Sequence, residues 1–290
     1  MPSTYNDLYL DTRRALKRNG VDSAALEARE IVCCAADKNK EEFYRDNRLY
    51  ATPEIEARVS ALLQRRLQGE PVAYLVGEWE FFGLPLIVNE HVLIPRSDTE
   101  VLAQQAIDYL KDYPGARVLD LCTGSGCVGL AIASQRTDCR VVLADCSEEA
   151  LRVARTNARL NHLQSRIAVL QADALASPGA KFDAFQCIVS NPPYVTAQEM
   201  TELDVSVRAH EPEMALDGGK DGLDFYRAIL QNFTPALRTG GWICFEFGFR
   251  QHMQVGMLLS DAGYCNLRFV KDSGGIIRAV CAQKIKETNV

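Results

Sequence analysis

Ile55, Val59, Leu62, Leu63 and Leu67 recur at the three-to-four-residue spacing of one helix face, and Gly69 ends the pattern. Thr52-Pro53-Glu54 supplies its start: a capping hydroxyl, a proline in the first turn, and an acid near the positive end of the helix dipole. DSAALEAREIVCCAA, residues 22–36, is a second amphipathic stretch, and residues 1–71 read as a small helical bundle. The pattern then changes. VAYLVGEWEFFGLPLIVNEHVLI, residues 72–94, is rich in β-branched and aromatic residues with Gly83 at a turn, which predicts a linking β-hairpin over 72–96. From 97 to 290 short apolar runs alternate with helical stretches. RVLDL precedes a helix from 126, and RVVLAD precedes one from 147. RIAVLQAD, CIVSN and WICFEFGF are further strands, and GYCNLRFVKDSGGIIRAVCAQK reads as a closing hairpin. Strands separated by helices imply an α/β domain, a Rossmann-like parallel sheet covered on both faces.

Composition narrows the partners. With 47% hydrophobic and 24% charged residues the 290-residue chain fits an ordinary soluble protein of one large or two modest domains. No apolar stretch is long enough to span a bilayer, and the opening MPSTYNDLYLDTRR lacks a signal-peptide core, so a cytoplasmic protein without membrane contact is expected. The ten cysteines form no CxxC pair and the four histidines are scattered, so no metal is expected and the thiols read as reduced, mostly buried small hydrophobes. Net charge is −6; residues 1–75 balance twelve bases against twelve acids, leaving the excess negative charge on the remainder. A phosphate backbone is usually met by a basic face, so stable nucleic-acid binding is not expected. A monomer is expected.

DLCTGSGCVG, residues 120–129, follows a strand and opens a helix, and contains Gly124-x-Gly126-x-x-Gly129. That spacing suits a cofactor at a strand-to-helix turn, and equally a tight turn that packs helix on strand. The acids around it decide the chemistry. Asp120 ends the first strand, where it would repel a pyrophosphate and welcome a cationic amino group. Asp145 ends the second strand, nineteen residues beyond Gly126, where an acid can accept from ribose hydroxyls. Asp173 ends the third, placed to accept from an adenine amino group. The loop has no lysine and the chain no G-x-x-x-x-G-K-[ST]. S-adenosyl-L-methionine fits this set better than ATP or a dinucleotide.

The run CIVSNPPYV, residues 187–195, stops a core strand on an Asn with no obvious partner, two prolines and a tyrosine. Each proline fixes φ and disfavours helix in the residue before it, so the segment is held extended with its carbonyls outward. The Asn191 side-chain oxygen and the Pro192 carbonyl could each accept one N–H of a planar –NH2 group. Acceptors that favour a pyramidal nitrogen stabilise the transition state more than the ground state. Tyr194 could stack on the flat group. Asn-Pro also starts ordinary turns; the position after a core strand and the glycine loop favours chemistry.

In these segments the chain resembles the protein-(glutamine-N5) methyltransferases that act on the Gln of the Gly-Gly-Gln loop of class-1 peptide chain release factors, the proteins of translation termination. The resemblance runs through GEWEFFGLPLIVNEHVLIPRSDTE (77–100), DLCTGSG (120–126), NPPY (191–194), HEPEMALDGGKDGLDFY (210–226), FEFG (245–248) and KDSGGIIR (271–278). NPPY alone is shared with DNA and RNA amino-group methyltransferases, which stand as the alternative. The resemblance implies an S-adenosylmethionine-dependent methyltransferase domain at 97–290, with the helical region docking the release factor. It implies that Thr123, Gly124, Ser125 and Gly126 hold the methionine end, Asp145 the ribose, and Asp173-Ala174 the adenine. Asp120, Cys122 and Asn191 complete the expected cofactor set. Asn191, Pro192, Pro193 and Tyr194 would bind the target amide, with Asn191, Pro192 and Tyr194 catalytic. The family often has glycine where this chain has Cys122, which leads to an expected negative φ there. It often has a bulky aromatic at Ala174, which puts adenine stacking there in doubt. Arg96, Thr99 and Glu100 touch cofactor or partner, or cap a helix starting near 98. Residues 210–224 form a lid or a surface turn.

Overall fold

The structure, a computed structural model, describes residues 2–179 and 182–285. It divides into two compact units, residues 1–78 with 204–210, and residues 79–203 with 211–290. The first unit holds α1 (Tyr5–Arg18), α2 (Ala24–Ala35), α3 (Lys40–Asp46), α4 (Pro53–Leu67) and α5 (Val72–Val76). The Thr52 hydroxyl accepts from the Ile55 N–H with Pro53 in the first turn, so α4 starts as its sequence dictates. Leu16, Ala28, Ile31 and Val32 are fully buried between these helices.

The expected hairpin is shorter at both ends. Strands β1 (Glu78–Phe81) and β2 (Leu84–Ile87) pair around Phe82 and Gly83, both at positive φ, the geometry of a tight two-residue turn. Residues 72–76 are helical instead, because Pro71 precedes them and Gly77, left-handed at φ +79°, caps them; local capping outweighs the β propensity of Val72, Tyr74 and Val76.

In the second unit α6 (Glu100–Leu110), β3 (Arg117–Leu121), α7 (Cys127–Gln135), β4 (Arg140–Asp145), α8 (Glu148–Leu160), β5 (Ile167–Gln171) and β6 (Phe185–Ser190) alternate. The short α9 (Val205–His210) belongs to the first unit; α10 (Asp224–Phe233), β7 (Leu237–Glu246), α11 (His252–Asp261), β8 (Tyr264–Lys271) and β9 (Ile277–Lys284) complete the second. The seven-stranded sheet runs β5-β4-β3-β6-β7-β9-β8, with β9 antiparallel to both β7 and β8 as the closing hairpin predicts. From β3 the chain steps outward one way to β5, then returns to place β6 on the other side of β3. The carboxyl ends of β3 and β6 therefore meet where the strand order reverses, the place open α/β sheets keep for ligands. Alternation assigns the faces. Val118, Val189 and Cys244 pack under α6 and α7, while Leu119, Ile188 and Phe245 pack under α10 and α11. Burying a side chain such as Phe245 contributes about 1.5–3 kcal/mol. Asp120, Asn191 and Glu246 continue the first face at the ends of β3, β6 and β7, with Asp120 level with Val189 and Asn191 level with Glu246.

Candidate active site

The glycine loop turns at once after β3. The Thr123 N–H donates to the Ala144 carbonyl (3.0 Å) and the Gly126 N–H to the Thr123 carbonyl (2.8 Å). To make that reversal Cys122 adopts φ +59°, so the expected negative φ is overturned: the turn imposes a left-handed residue whatever the side chain. Gly124 and Gly126 are left-handed as well, at +53° and +86°. Gly129 serves packing, because a Cβ there would lie 2.9 Å from Asp120 Oδ2 and 2.3 Å from a Leu143 methyl.

Both strand-end acids are held in place. Asp120 Oδ2 accepts from the Thr123 hydroxyl (2.7 Å) and the Gly129 N–H (2.8 Å). Burial pushes its pKa up to about 7, opposed by those two hydrogen bonds and reinforced by Asp145. Asp145 Oδ2 accepts from the Gly124 N–H (2.9 Å) and Oδ1 from the Ser147 N–H (3.0 Å). Burial raises its pKa too, against those backbone donors. Each oxygen keeps a lone pair for a further donor.

A cleft with about 890 Å³ of empty space opens at this edge. Asp120, Cys122, Thr123, Gly124, Ser125, Asp145, Ala174, Asn191 and Pro193 line it. Gly126, Asp173, Pro192 and Tyr194 do not line it. Asp173 lies two residues beyond the end of β5, exposed, with Oδ1 accepting from the Leu175 N–H at 2.8 Å; a turn takes the carboxylate that sequence assigned to adenine. Ala172, Ala174 and Phe225 give the cleft apolar walls, and Phe225 went unnoticed inside LDFY. Two carboxylates, loop backbone and apolar walls suit an adenosine bearing a cationic amino acid. The described lining has no lysine, and its one guanidinium, Arg96, is paired to the buried Glu211. Ser125 lines this cleft, and its buried hydroxyl has no hydrogen-bond partner among the described residues.

At the end of β6 the Ser190 hydroxyl donates to the Leu121 carbonyl (2.6 Å), fastening the two strand ends together. The partner missing from the sequence is Thr99: the Asn191 amide nitrogen donates to its hydroxyl at 3.3 Å. Thr99, buried, makes no side-chain capping bond to α6. Glu100 accepts from the Phe82 N–H (2.9 Å) and so serves the hairpin. The Tyr194 ring lies against Gly248, where a Cβ would be 3.1 Å from it, and packs on the core under α10 and α11. Its hydroxyl faces Glu246, and burial first, then that acid, push its pKa well up.

Residues 211–222 clasp this segment. The Val195 N–H donates to the Leu216 carbonyl and the Gly218 N–H to the Val195 carbonyl, both at 2.9 Å. A Cβ on Gly218 would sit 2.6 Å from Tyr194 Cα, and one on Gly222 2.3 Å from the Tyr194 carbonyl. Gln251 donates to that carbonyl at 3.0 Å. The Glu211 carboxylate accepts from the Ile94 N–H (3.1 Å) and pairs with Arg96. The glycines here record close backbone approach to the NPPY segment.

Among the described residues no helix is long and apolar enough to cross a membrane, and no cluster of His, Cys, Asp and Glu could hold a metal. Residues 7–77 match the family model for the PrmC N-terminal domain, and residues 98–211 that for the methyltransferase small domain. A release factor glutamine methyltransferase of Thermodesulfovibrio yellowstonii is 38% identical over 266 residues, covering 90% of this chain and 92% of that protein. One of Caulobacter vibrioides is 36% identical, covering 93% and 92%. The solved hMettl16 catalytic domain, in complex with the MAT2A 3′UTR hairpin 6, superposes with a TM-score of 0.56 at 15% identity, covering 90% of this chain and 94% of that one. A Pyrococcus furiosus methyltransferase gives 0.52 at 19% identity, covering 78% and 99%. These two likenesses speak to the fold alone.

Proposed function

The chain belongs to the release factor glutamine methyltransferase family, and on that premise we propose what it does: it moves a methyl group from S-adenosyl-L-methionine to the side-chain amide nitrogen of the Gln in the Gly-Gly-Gln loop of a class-1 peptide chain release factor. The observation that carries the reading is the placing of Asn191 in one cleft with Asp120 and Asp145. Its amide nitrogen is turned inward to Thr99, and its Oδ1 accepts from none of the described residues.

Asp145 would hold the ribose, Asp120 and the 122–125 backbone the amino-acid end, and Ala172, Ala174 and Phe225 the flat face of the base. When bound, the cofactor supplies an electrophilic methyl on a sulfonium. The chain's part is to make a delocalised amide nitrogen attack it. Asn191 Oδ1 accepts one N–H of the Gln, and the Pro192 carbonyl, next along the extended segment though Pro192 does not line the cleft, would be the second acceptor, so that the nitrogen lone pair is aimed rather than left in conjugation. The nitrogen becomes acidic as it gains the methyl, and its proton leaves to solvent without a strong base.

We assign release-factor docking to the helical unit, where Tyr44, Leu49 and Tyr50 stand exposed. Replacing Tyr44 and Tyr50 by alanine should raise KM for the release factor while cofactor affinity holds; an unchanged KM would move docking elsewhere. The decisive experiment on the function is transfer of labelled methyl from cofactor into purified release factor, RNA or DNA. Label in the release factor, abolished by Gln→Ala in its Gly-Gly-Gln loop, is expected. Comparable label in nucleic acid, or in the Gln-less partner, overturns the reading.

A further inference from the structure

Glu246 is an acid with no part in the steps above. It ends β7 one residue past the Phe245–Ser190 pair, so it stands abreast of Asn191. Only 3% exposed, its carboxylate has one oxygen, Oε2, with no hydrogen-bond partner among the described residues. The side chain shares the face of Cys244 and Trp242, the face on which α6 begins. Groups facing it come from several elements: Thr99 and Asp98 before α6, Asn191 and Tyr194 after β6, Arg278 on β9, Tyr226 on α10 and Cys127 on α7.

We propose that Glu246 is a positioning residue which, through the Thr99 hydroxyl, fixes the Asn191 amide with its nitrogen inward and its Oδ1 toward the cleft. The inference rests on the role given above to Asn191. A hydroxyl has one proton to give. An ionised carboxylate only accepts, so in this relay Thr99, beside Glu246, would give its proton to the acid and offer Asn191 a lone pair. Only the nitrogen end of the amide can answer that, at the observed 3.3 Å. A protonated Glu246 reverses the chain: it can donate to Thr99, which can then donate to Asn191 Oδ1 and hold the amide the wrong way round. Burial pushes the Glu246 pKa up to about 7, while Thr99, Arg278 and Asn191 hold it down and Asp98 adds to the rise. The ordering device therefore switches close to neutrality.

The test is single-turnover methylation of the release factor by the full chain from pH 6 to 8, with calorimetry of cofactor binding. Because the ionised acid is the productive form, the wild-type rate should climb about tenfold over that range. Glu246→Gln, which can donate as well as accept, should be slower by about ten- to a hundredfold at pH 8, as for loss of a hydrogen bond to a charged group. It should also bind cofactor normally and, at saturating cofactor, where Asp120 no longer limits binding, be flat with pH. Thr99→Val should show the same loss, and Thr99→Ser, which restores the hydroxyl, should recover to within a few-fold. Thr99→Ser as slow as Thr99→Val, or both Thr99→Val and Glu246→Gln at wild-type rate, would overturn the relay. A second readout needs no substrate: the 15N-labelled Asn191 side-chain amide resonances should titrate near neutrality in the wild type and not in Glu246→Gln. Identical behaviour in both proteins overturns the relay as well. A wild type that leaves the release factor unlabelled counts against the function alone, and the relay then stands or falls on those resonances.

Discussion

Strands β3 and β6 end side by side, paired through Leu121 and Ser190, but β3 delivers a backbone to the cleft and β6 a side chain. After β3 the loop turns through three left-handed residues, Cys122, Gly124 and Gly126, and brings loop backbone to the cleft beside Asp120 and Asp145. After β6 the backbone is stiffened by two prolines and fastened by Ser190, Gln251 and the 216–218 carbonyl and amide, so that one amide side chain is presented in one orientation. A backbone cradle spreads its work over many groups and should fail gradually. A single aimed acceptor should fail at once.

The sharpest way to break the contrast is Asn191→Ala. It removes one acceptor used mainly in the transition state, so the single-turnover rate should fall roughly 10²–10³-fold, by analogy with loss of an oxyanion-hole donor. Cofactor affinity by calorimetry should stay within a few-fold. A rate near wild type would mean the β6 end is as redundant as the loop.

How far the two halves were legible in sequence follows from the same difference. Glycine spacing records backbone conformation directly, so Gly124 and Gly126 and the flanking Asp120 and Asp145 could be placed from 120–145 alone. Alternating strands and helices gave the sheet for the same local reason. The Asn191 partner could not be placed, because Thr99 lies 92 residues away and meets it only through the β3–β6 crossover. Glu246 stands in the strand run and in FEFG without a role that local pattern can assign, since its alignment with Asn191 exists only in the β6–β7 register. Local reading failed at Val72–Val76 and Cys122 for a different reason: in each, a turn or cap overrode the preference of the side chain. Asp173 does not end its strand as expected: β5 stops two residues earlier, and in the turn that follows its Oδ1 accepts from the Leu175 N–H.

A milder loss is expected on the backbone side. Asp145→Ala removes an acceptor for ribose hydroxyls and also the carboxylate that receives the Gly124 and Ser147 N–H groups. A charge-assisted contact of this kind contributes about 1.5–3 kcal/mol, or roughly 10–150-fold in affinity. Once cofactor is saturating, the methyl-transfer rate should recover to within a few-fold of wild type. Unchanged affinity in this variant would remove Asp145 from the site. A rate defect that persists at saturation would show the loop aiming the reaction as strictly as Asn191 does.

The smallest effect tests whether the cradle depends on backbone alone. Cys122 holds φ +59° with its thiol half-buried at the cleft, and a left-handed residue with a Cβ costs roughly 1–2 kcal/mol. Cys122→Ala keeps that strain and loses the sulfur; Cys122→Gly loses the sulfur and the strain together. The glycine also loosens the unfolded chain, which offsets the gain by about 0.4–1 kcal/mol. Glycine should therefore be the more stable of the two by about 0.5–1 kcal/mol in urea unfolding, at equal m. Both variants should bind cofactor alike, because the turn and not the thiol shapes the loop. Alanine equal to or above glycine would mean that the positive φ stores no strain; a cofactor affinity that followed the thiol would give the β3 end a side-chain dependence of the kind Asn191 shows.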